Sequence, residues 1–193
     1  MSSPFPELYL VRHGETEWSR SGRHTGRSDI PLTEAGEAAA RGVAGRLQGT
    51  AFAAVWSSPS LRARTTCTLA GFGTGAVIKD ELAEWDYGAY EGVTTEQILA
   101  ERPGWQLFRD GCPQGEDAAQ VGARADAVIE LFRQTATTVL VFSSSHFLRV
   151  LAARWIGLPP EGGSRLVLDT ASLSVLGYEH NLSEPVIRRW NQR

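Results

Sequence analysis

Two short runs of consecutive apolar residues constrain most strongly what this chain can fold into. Residues 8–11 and residues 139–142 are apolar throughout and are bounded by prolines, glycines or serines. Such short, bounded apolar runs predict buried strands. Helical patterns alternate with strand patterns along the chain. This alternation predicts an α/β fold, a three-layer sandwich with a mainly parallel central sheet and helices on both faces.

The other elements follow from apolar periodicity and from capping residues. Thr33 is the predicted N-cap of a helix over residues 34–48, and Ser60 that of a helix reaching about residue 70. Further helices are predicted over residues 95–101, 117–134 and 146–156. Further strands are predicted over residues 53–56, 77–79, 165–168, 172–178 and 186–190. A length of 193 residues fits a single domain spanning residues 1–193.

Composition argues against several classes of protein. The net charge is −3, without an arginine- or lysine-rich block, so a nucleic-acid partner has little electrostatic support. The first residues lack the basic and apolar regions of a signal peptide, and no apolar stretch approaches a membrane span, so we expect a cytoplasmic protein. Cys67 and Cys112 fit no metal-ligand spacing, and we expect neither a metal nor a cofactor.

The tripeptide Arg12-His13-Gly14 directly follows the first apolar run. Open α/β sheets place their ligand sites at the carboxyl ends of strands. Histidine can carry a covalent phosphoryl group, and the planar donor fork of arginine matches phosphate oxygens. Three more junctions carry polar residues suited to phosphate, among them Arg62 about one turn into a helix. They lie at residues 57–65, 82–92 and 143–146.

These segments occur in the order typical of one family. Residues 12–18, 25–33, 57–59 and 84–92 resemble the signature segments of the histidine phosphatase superfamily, the phosphoglycerate-mutase-like enzymes. The stretch from Trp18 to Gly26 looks like that of the small bacterial acid phosphatases and the sedoheptulose-bisphosphatase-type enzymes. The resemblance covers nearly the whole chain.

The resemblance implies a role for each catalytic candidate. His13 would be the nucleophile that forms a phosphohistidine, and Arg12 and Arg62 would hold the phosphoryl oxygens. Glu84 would protonate the leaving alcohol and then activate water. Four other acidic residues of the same region compete with Glu84 for that role: Asp80, Glu81, Asp86 and Glu91.

The predicted substrate-binding residues lie in two loops: Ser19, His24, Thr25, Gly26, Ser144, Ser145 and His146. For His24, contact with substrate and a surface position are equally compatible with the sequence. Side chains such as Ser19 and Thr25 more commonly bond their own backbone. Arg23, Arg27 and His24 are also candidates for contacting a second phosphate.

Ser144 departs from the family pattern, in which a second catalytic histidine stands between serine and glycine. In this chain Ser144 has the position of that histidine and Ser145 that of the glycine. Three accounts are open: a shifted loop that brings His146 into the pocket, a serine that donates a neutral hydrogen bond, or an altered protein that only binds phosphate. We favour the serine donor, because a one-residue shift must preserve a buried strand.

The sequence therefore predicts a metal-independent phosphomonoesterase that acts on small phosphate esters, such as sugar phosphates, through a phosphohistidine. The alternatives are a phosphoglycerate mutase and a catalytically impaired phospho-ligand-binding protein. The chain is short for a mutase, and residues 92–116 offer only Arg102 and Arg109 as basic side chains. The sequence predicts no oligomeric state.

Overall fold

A six-stranded sheet organises the chain, and the computed structural model describes residues 4–193. The strands are β1 (Leu8–Arg12), β2 (Ala54–Ser57), β3 (Val77–Ile78), β4 (Val139–Ser143), β5 (Leu173–Tyr178) and β6 (Pro185–Gln192). Their order across the sheet is β3-β2-β4-β1-β5-β6. The four strands β3, β2, β4 and β1 pair in parallel, whereas β5 and β6 add antiparallel pairs at one side. The predicted, mainly parallel sheet is confirmed.

Helices cover the sheet on both faces. The α-helices of the described residues are α1 (Glu17–Arg20), α2 (Glu34–Leu47), α3 (Leu61–Leu69), α4 (Thr95–Glu101), α5 (Leu107–Asp110), α6 (Ala118–Thr135) and α7 (Ser145–Trp155). Short 3-10 helices lie at Asp80–Leu82, Gly88–Tyr90 and Pro160–Arg165. No helix within residues 4–193 combines the length and the apolar character needed to cross a bilayer.

The central strand β1 shows how the three layers are held together. Leu8 and Leu10 pack into a core cluster that also contains residues of α6 and α7. Tyr9 and Val11 point to the other face and pack into a second cluster with residues of α2 and α3. Successive side chains of a strand point to opposite faces, so a fully apolar strand needs helices on both sides. The predicted three-layer sandwich is confirmed.

The register of β1 against β4 determines where the loops meet. These strands pair in parallel from Leu8 opposite Val139 to Arg12 opposite Ser143. Both strands therefore end at the same edge of the sheet, and the residues that follow them are neighbours.

The predicted side-chain cap is present at the start of α2 and absent at the start of α3. The side chain of Thr33 caps α2 as predicted, with its Oγ1 accepting from the backbone N–H of Gly36 at 3.0 Å. Ser60 stands at the N-cap of α3, but its side chain makes no capping bond. Instead, the backbone N–H of Leu61 donates to Oδ1 of Asp29 at 2.8 Å. The carboxylate of Asp29, from a loop distant in sequence, therefore caps α3 in place of the Ser60 side chain.

The predicted strand over residues 165–168 is wrong. The chain forms the 3-10 helix Pro160–Arg165 there and then continues without regular structure to β5. The carbonyl of Leu168 accepts from the Arg12 guanidinium, and the carbonyl of Val167 accepts from Nε1 of Trp190 at 2.6 Å. Because side chains satisfy these backbone groups, no strand pairing is required. The short helices α1 and α5 were not predicted.

The loop after β1 lies directly on the first turn of α2. A side-chain Cβ at Gly14 would collide with the carbonyl oxygen of Gly36, and a Cβ at Gly36 would collide with the carbonyl oxygen of Glu15. Two glycines thus allow the backbones of this loop and of α2 to touch.

We expect Gly36→Ala to lower the free energy of unfolding by about 1–3 kcal/mol, because backbone atoms cannot move aside as a flexible side chain can. Gly42→Ala is the matched control in the same helix, since nothing lies within 4 Å of a Cβ there. The control should leave stability unchanged or raise it by up to about 1 kcal/mol through helix propensity. Urea unfolding measures both, and equal effects of the two substitutions would contradict the close approach.

Candidate active site

His13 lies at the carboxyl edge of the sheet and is buried. Its backbone N–H donates to the carbonyl of Ser143 at 3.0 Å, and its own carbonyl accepts from the N–H of Ala171 at 3.0 Å. The ring atom Nδ1 lies 2.7 Å from the carbonyl oxygen of Gly14. A carbonyl only accepts, so Nδ1 carries the proton and Nε2 keeps its lone pair.

The imidazole of His13 is held in its neutral form. Burial lowers its pKa well below the ordinary value of 6.5, and the positive charges of Arg62 and Arg12 lower the pKa further. A neutral ring with a lone pair on Nε2 is the form that attacks an electrophile.

Two arginines flank this ring, and each guanidinium group donates to backbone carbonyls. Arg62 is fully buried in the first turn of α3; its Nη1 donates to Ser28 O at 3.0 Å, and its Nη2 donates to Thr25 O at 2.8 Å and to Gly26 O at 3.0 Å. In Arg12, Nη1 donates to the carbonyl of Leu168. Backbone carbonyls therefore fix both guanidinium groups in place.

The unsatisfied polar atoms of the interior belong to residues close to His13. Within residues 4–193, the buried side-chain nitrogen and oxygen atoms without a partner are Arg12 Nε, Arg62 Nε and Ser144 Oγ. Arg12 precedes His13, Arg62 is near enough for its charge to depress the His13 pKa, and Ser144 follows the serine that bonds the His13 backbone. Buried polar groups rarely remain unpaired, and two cationic donors beside a hydroxyl suit an anion with several oxygens.

Glu84 is buried and lies at the first turn of α7. Its Oε1 accepts from the backbone N–H groups of Trp85 at 2.9 Å and Phe147 at 2.8 Å. Its Oε2 accepts from the N–H of His146 at 3.0 Å. The carboxylate therefore caps α7, whose N-cap residue Ser144 makes no capping bond with its side chain.

The competing acidic residues are directed elsewhere. Asp86 pairs with Arg27 at 2.7 Å, and both oxygens of Glu91 accept from the backbone N–H of Gly26. Of the five acidic candidates, only Glu84 lines the cavity that contains His13. Arg27 lies at the neighbouring cleft, away from that cavity.

The cavity beside His13 has a volume of about 450 Å³. Several predicted substrate-binding residues line it: Ser19, His24, Thr25, Ser145 and His146. Gly26 faces the neighbouring cleft instead. Its N–H bonds to Glu91, and its carbonyl accepts from Arg62, so it serves to position the loop.

The hydroxyls of Ser19 and Thr25 bond nearby backbone. Ser19 Oγ donates to Thr16 O at 3.0 Å, and Thr25 Oγ1 donates to Arg23 O at 3.1 Å. Each hydroxyl donates its only proton to a backbone carbonyl. Unless the hydroxyl rotates, it can therefore only accept a hydrogen bond from a ligand.

The loop after β4 begins directly after a strand that pairs regularly with β1. Pairing with β1 continues without a shift to Ser143, and Ser144 follows it, fully buried. His146 lies in the first turn of α7, where its Nδ1 is 2.6 Å from the hydroxyl of Tyr87. Both Ser144 and His146 thus lie near the His13 cavity without any displacement of the strand.

Other residues of the cavity were not predicted from the sequence. Tyr87, Trp105 and Arg149 all line it. The Arg149 guanidinium donates from Nε to Gly163 O at 3.0 Å and lies 4.8 Å from the ring of Phe108. Tyr87 belongs to the acidic and aromatic loop at residues 82–92, so its position was accessible to sequence reasoning, whereas nothing in the sequence distinguished Arg149.

Metal-ligand clusters do not occur in the part of the chain that the structure describes. No group of three or more histidine, cysteine or carboxylate side chains is placed to hold a metal ion within residues 4–193. Cys67 and Cys112 are buried, free thiols.

The three unpaired atoms predict that the protein binds an oxyanion and is stabilised by it. Inorganic phosphate or vanadate at about 100 times its Kd should raise the free energy of unfolding by about 2.7 kcal/mol. We expect Arg62→Met to abolish this stabilisation in a thermal-unfolding titration. Arg64→Met, an exposed position on the same helix, is the control and should retain it. Equal stabilisation of both variants would show that the anion binds elsewhere.

Comparison with known proteins identifies the family. The sequence model of the histidine phosphatase superfamily (branch 1) matches residues 8–193. An acid phosphatase of Mycobacterium tuberculosis is 43% identical over 182 residues, which cover 92% of this chain and 89% of that protein. Sedoheptulose 1,7-bisphosphatase of Saccharomyces cerevisiae is 35% identical over 198 residues, covering 82% and 70%.

A solved structure agrees with this assignment. The product of an open reading frame of Mycobacterium tuberculosis superposes with a TM-score of 0.90 at 40% sequence identity, and the match covers 97% of each chain. The segment matched by the family model includes every strand of the sheet and the junctions that surround His13. This chain belongs to the histidine phosphatase superfamily, branch 1.

Proposed function

We propose that this histidine phosphatase is a phosphomonoesterase that hydrolyses small phosphate esters through a phosphohistidine on His13. The observation that carries the proposal is the set of three buried, unpaired donors around a neutral imidazole: Arg12 Nε, Arg62 Nε and Ser144 Oγ. Phosphoryl transfer requires a positioned nucleophile and fixed positive charge near the equatorial oxygens. This arrangement supplies both.

In the first half of the reaction, the Nε2 lone pair of His13 forms a bond to phosphorus as the bond to the ester oxygen breaks. Arg12, Arg62 and Ser144 donate hydrogen bonds to the phosphoryl oxygens, where negative charge increases. Glu84 gives a proton to the departing alcohol, which is a poor leaving group without it. Such general acid catalysis contributes roughly 10²–10⁴-fold.

In the second half, water attacks the phosphorus atom of the phosphohistidine. Glu84 takes a proton from that water, the bond to Nε2 breaks, and the electron pair returns to His13. Oε2 of Glu84 suits this exchange, because it accepts a single backbone N–H and retains a free lone pair, whereas Oε1 accepts two. Both guanidinium groups are permanently charged, so the proposed route needs no metal.

The two relatives described above favour hydrolysis over mutase activity, whereas further relatives at 32% identity are named as probable phosphoglycerate mutases. The two curated relatives described above are named as phosphatases. A mutase must also hold a second anionic group, for which residues 92–116 offer Arg102 and Arg109. Arg109 already pairs with Asp110 at 2.7 Å, and neither Arg102 nor Arg109 lines the cavity that contains His13. Phosphoglycerate mutase is therefore the less favoured function.

We propose a small-molecule phosphate ester, such as a sugar phosphate, as the substrate. A cytoplasmic location agrees with the two free thiols, since a reducing compartment keeps cysteines unpaired.

His13→Ala should abolish phosphate release from sugar phosphates and from an aryl phosphate. His180→Ala is the control, because His180 is exposed and bonds only to neighbouring residues. The stability of the labelled protein in acid and in base distinguishes phosphohistidine from phosphoserine. Phosphohistidine survives base, whereas phosphoserine survives acid. We expect base-stable, His13-dependent label from radioactive substrate, and turnover that persists in a chelator. If the native protein released no phosphate from any ester, hydrolysis would be refuted and a phospho-ligand-binding protein would be favoured.

Ser144→His should raise phosphate release by about one to two orders of magnitude, because an imidazole donor reaches the phosphoryl group better than a hydroxyl. Ser144→Ala should lower it, since the only side-chain donor at this position is lost. Steady-state kcat for the three proteins tests this, with thermal unfolding to show that the imidazole is accommodated. Lower kcat in a stably folded Ser144→His protein would refute the assigned role of Ser144.

A further inference from the structure

Two further histidines line the cavity that contains His13. The rings of His24 and His146 are stacked, with centroids 6.3 Å apart and planes inclined by 21°. The aromatic rings of Tyr87, Trp105 and Phe108 pack around them. The proposed phosphoryl transfer uses neither histidine.

The tautomer of His24 follows from its backbone contact. Its Nδ1 lies 2.7 Å from the carbonyl oxygen of Val93. Because that oxygen only accepts, Nδ1 carries the proton, and Nε2 of the neutral ring is an acceptor.

His146 has the opposite tautomer. Its Nδ1 lies 2.6 Å from the hydroxyl of Tyr87, and Glu84 Oε2 is 4.0 Å away, too far for a hydrogen bond. Within the described chain, the buried Tyr87 hydroxyl has no other acceptor for its proton. The hydroxyl therefore donates to Nδ1, and the neutral His146 ring carries its proton on Nε2.

Both Nε2 atoms are available to a ligand. Neither bonds to any residue in the range 4–193, and neither is among the buried atoms that lack a partner, so both are reached by solvent through the cavity. Burial lowers the pKa of His24 and, more strongly, that of His146, for which the charge of Arg149 adds to the effect. Both rings thus remain neutral at pH 7.

We propose that His24 and His146 form an acceptor–donor pair that recognises the hydroxyl groups of a polyhydroxylated leaving group, with Tyr87 as the residue that positions His146. The inference rests on the proposed phosphatase function and names the substrate class. A hydroxyl both donates and accepts, so neighbouring hydroxyls satisfy both histidines. An ionised carboxylate or phosphate only accepts and leaves His24 unpaired, and an alkyl chain leaves both unpaired.

The pair is tested by comparing ribitol 5-phosphate with n-pentyl phosphate, which have the same number of carbons. Each neutral hydrogen bond should contribute about tenfold in kcat/KM, so the native protein should prefer the ribitol ester by about 100-fold. Tyr87→Phe should reduce this preference about tenfold, chiefly through KM for the ribitol ester. Tyr90→Phe is the matched control and should preserve it, because Tyr90 packs on Trp105 without a hydroxyl bond in the described chain.

The outcomes separate the pair from the phosphatase function. Equal kcat/KM for the two esters would overturn the pair and leave hydrolysis intact. Equal loss on both esters in Tyr87→Phe would also overturn it, because it would indicate a structural role for the hydroxyl. Failure of the native protein to hydrolyse any ester would instead refute the phosphatase function.

Histidine nitrogen NMR tests the tautomers without turnover or substitution at Tyr87. The chain has only four histidines, so their signals can be assigned by single substitutions. We expect the Nδ1-protonated form for His24 and the Nε2-protonated form for His146. Detection of Nδ1-protonated His146 in the native protein would overturn the inference.

Discussion

The parallel pairing of β1 with β4 is the interaction on which the site depends. Its register sets Arg12 opposite Ser143 and brings the N–H of His13 to the carbonyl of that serine. A slip of one residue would turn Tyr9 and Val11 to the wrong face of the sheet and disrupt the packing on both sides. The two core clusters therefore protect the geometry of the reacting groups, because they oppose any slip of the strand that carries His13 at its end.

Much of the fold was predictable, because it is encoded in local patterns. Short apolar runs indicated β1 and β4, and Thr33 indicated the start of α2. The failures involve bonds between residues far apart in sequence. The carboxylate of Asp29 caps α3, and the side chains of Arg12 and Trp190 bond carbonyls of the segment predicted as a strand. No window of consecutive residues contains that information.

Some features of the site were likewise predictable from the sequence, and others depend on contacts between distant residues. The strand ends indicated which loops meet, and the resemblance to the family singled out Arg12, His13 and Glu84 among the residues of those loops. Sequence could not show that Glu84 accepts three backbone N–H groups, or that Gly26 faces a separate cleft. It also could not show that a tyrosine hydroxyl fixes the protonation of His146. These features depend on the path of the loops, which the secondary-structure pattern leaves open.

The carbonyl contacts of Arg62 have a consequence for the thermodynamics of ligand capture. A free arginine side chain loses about 2 kcal/mol of rotamer entropy when it is immobilised. In Arg62 that loss occurs during folding, because three carbonyls of residues 25–28 already hold the guanidinium. An arriving anion therefore meets a rigid donor, and its own immobilisation is the main remaining entropic penalty. The same bonds couple the ordering of the 25–28 loop to the positioning of the Arg62 charge.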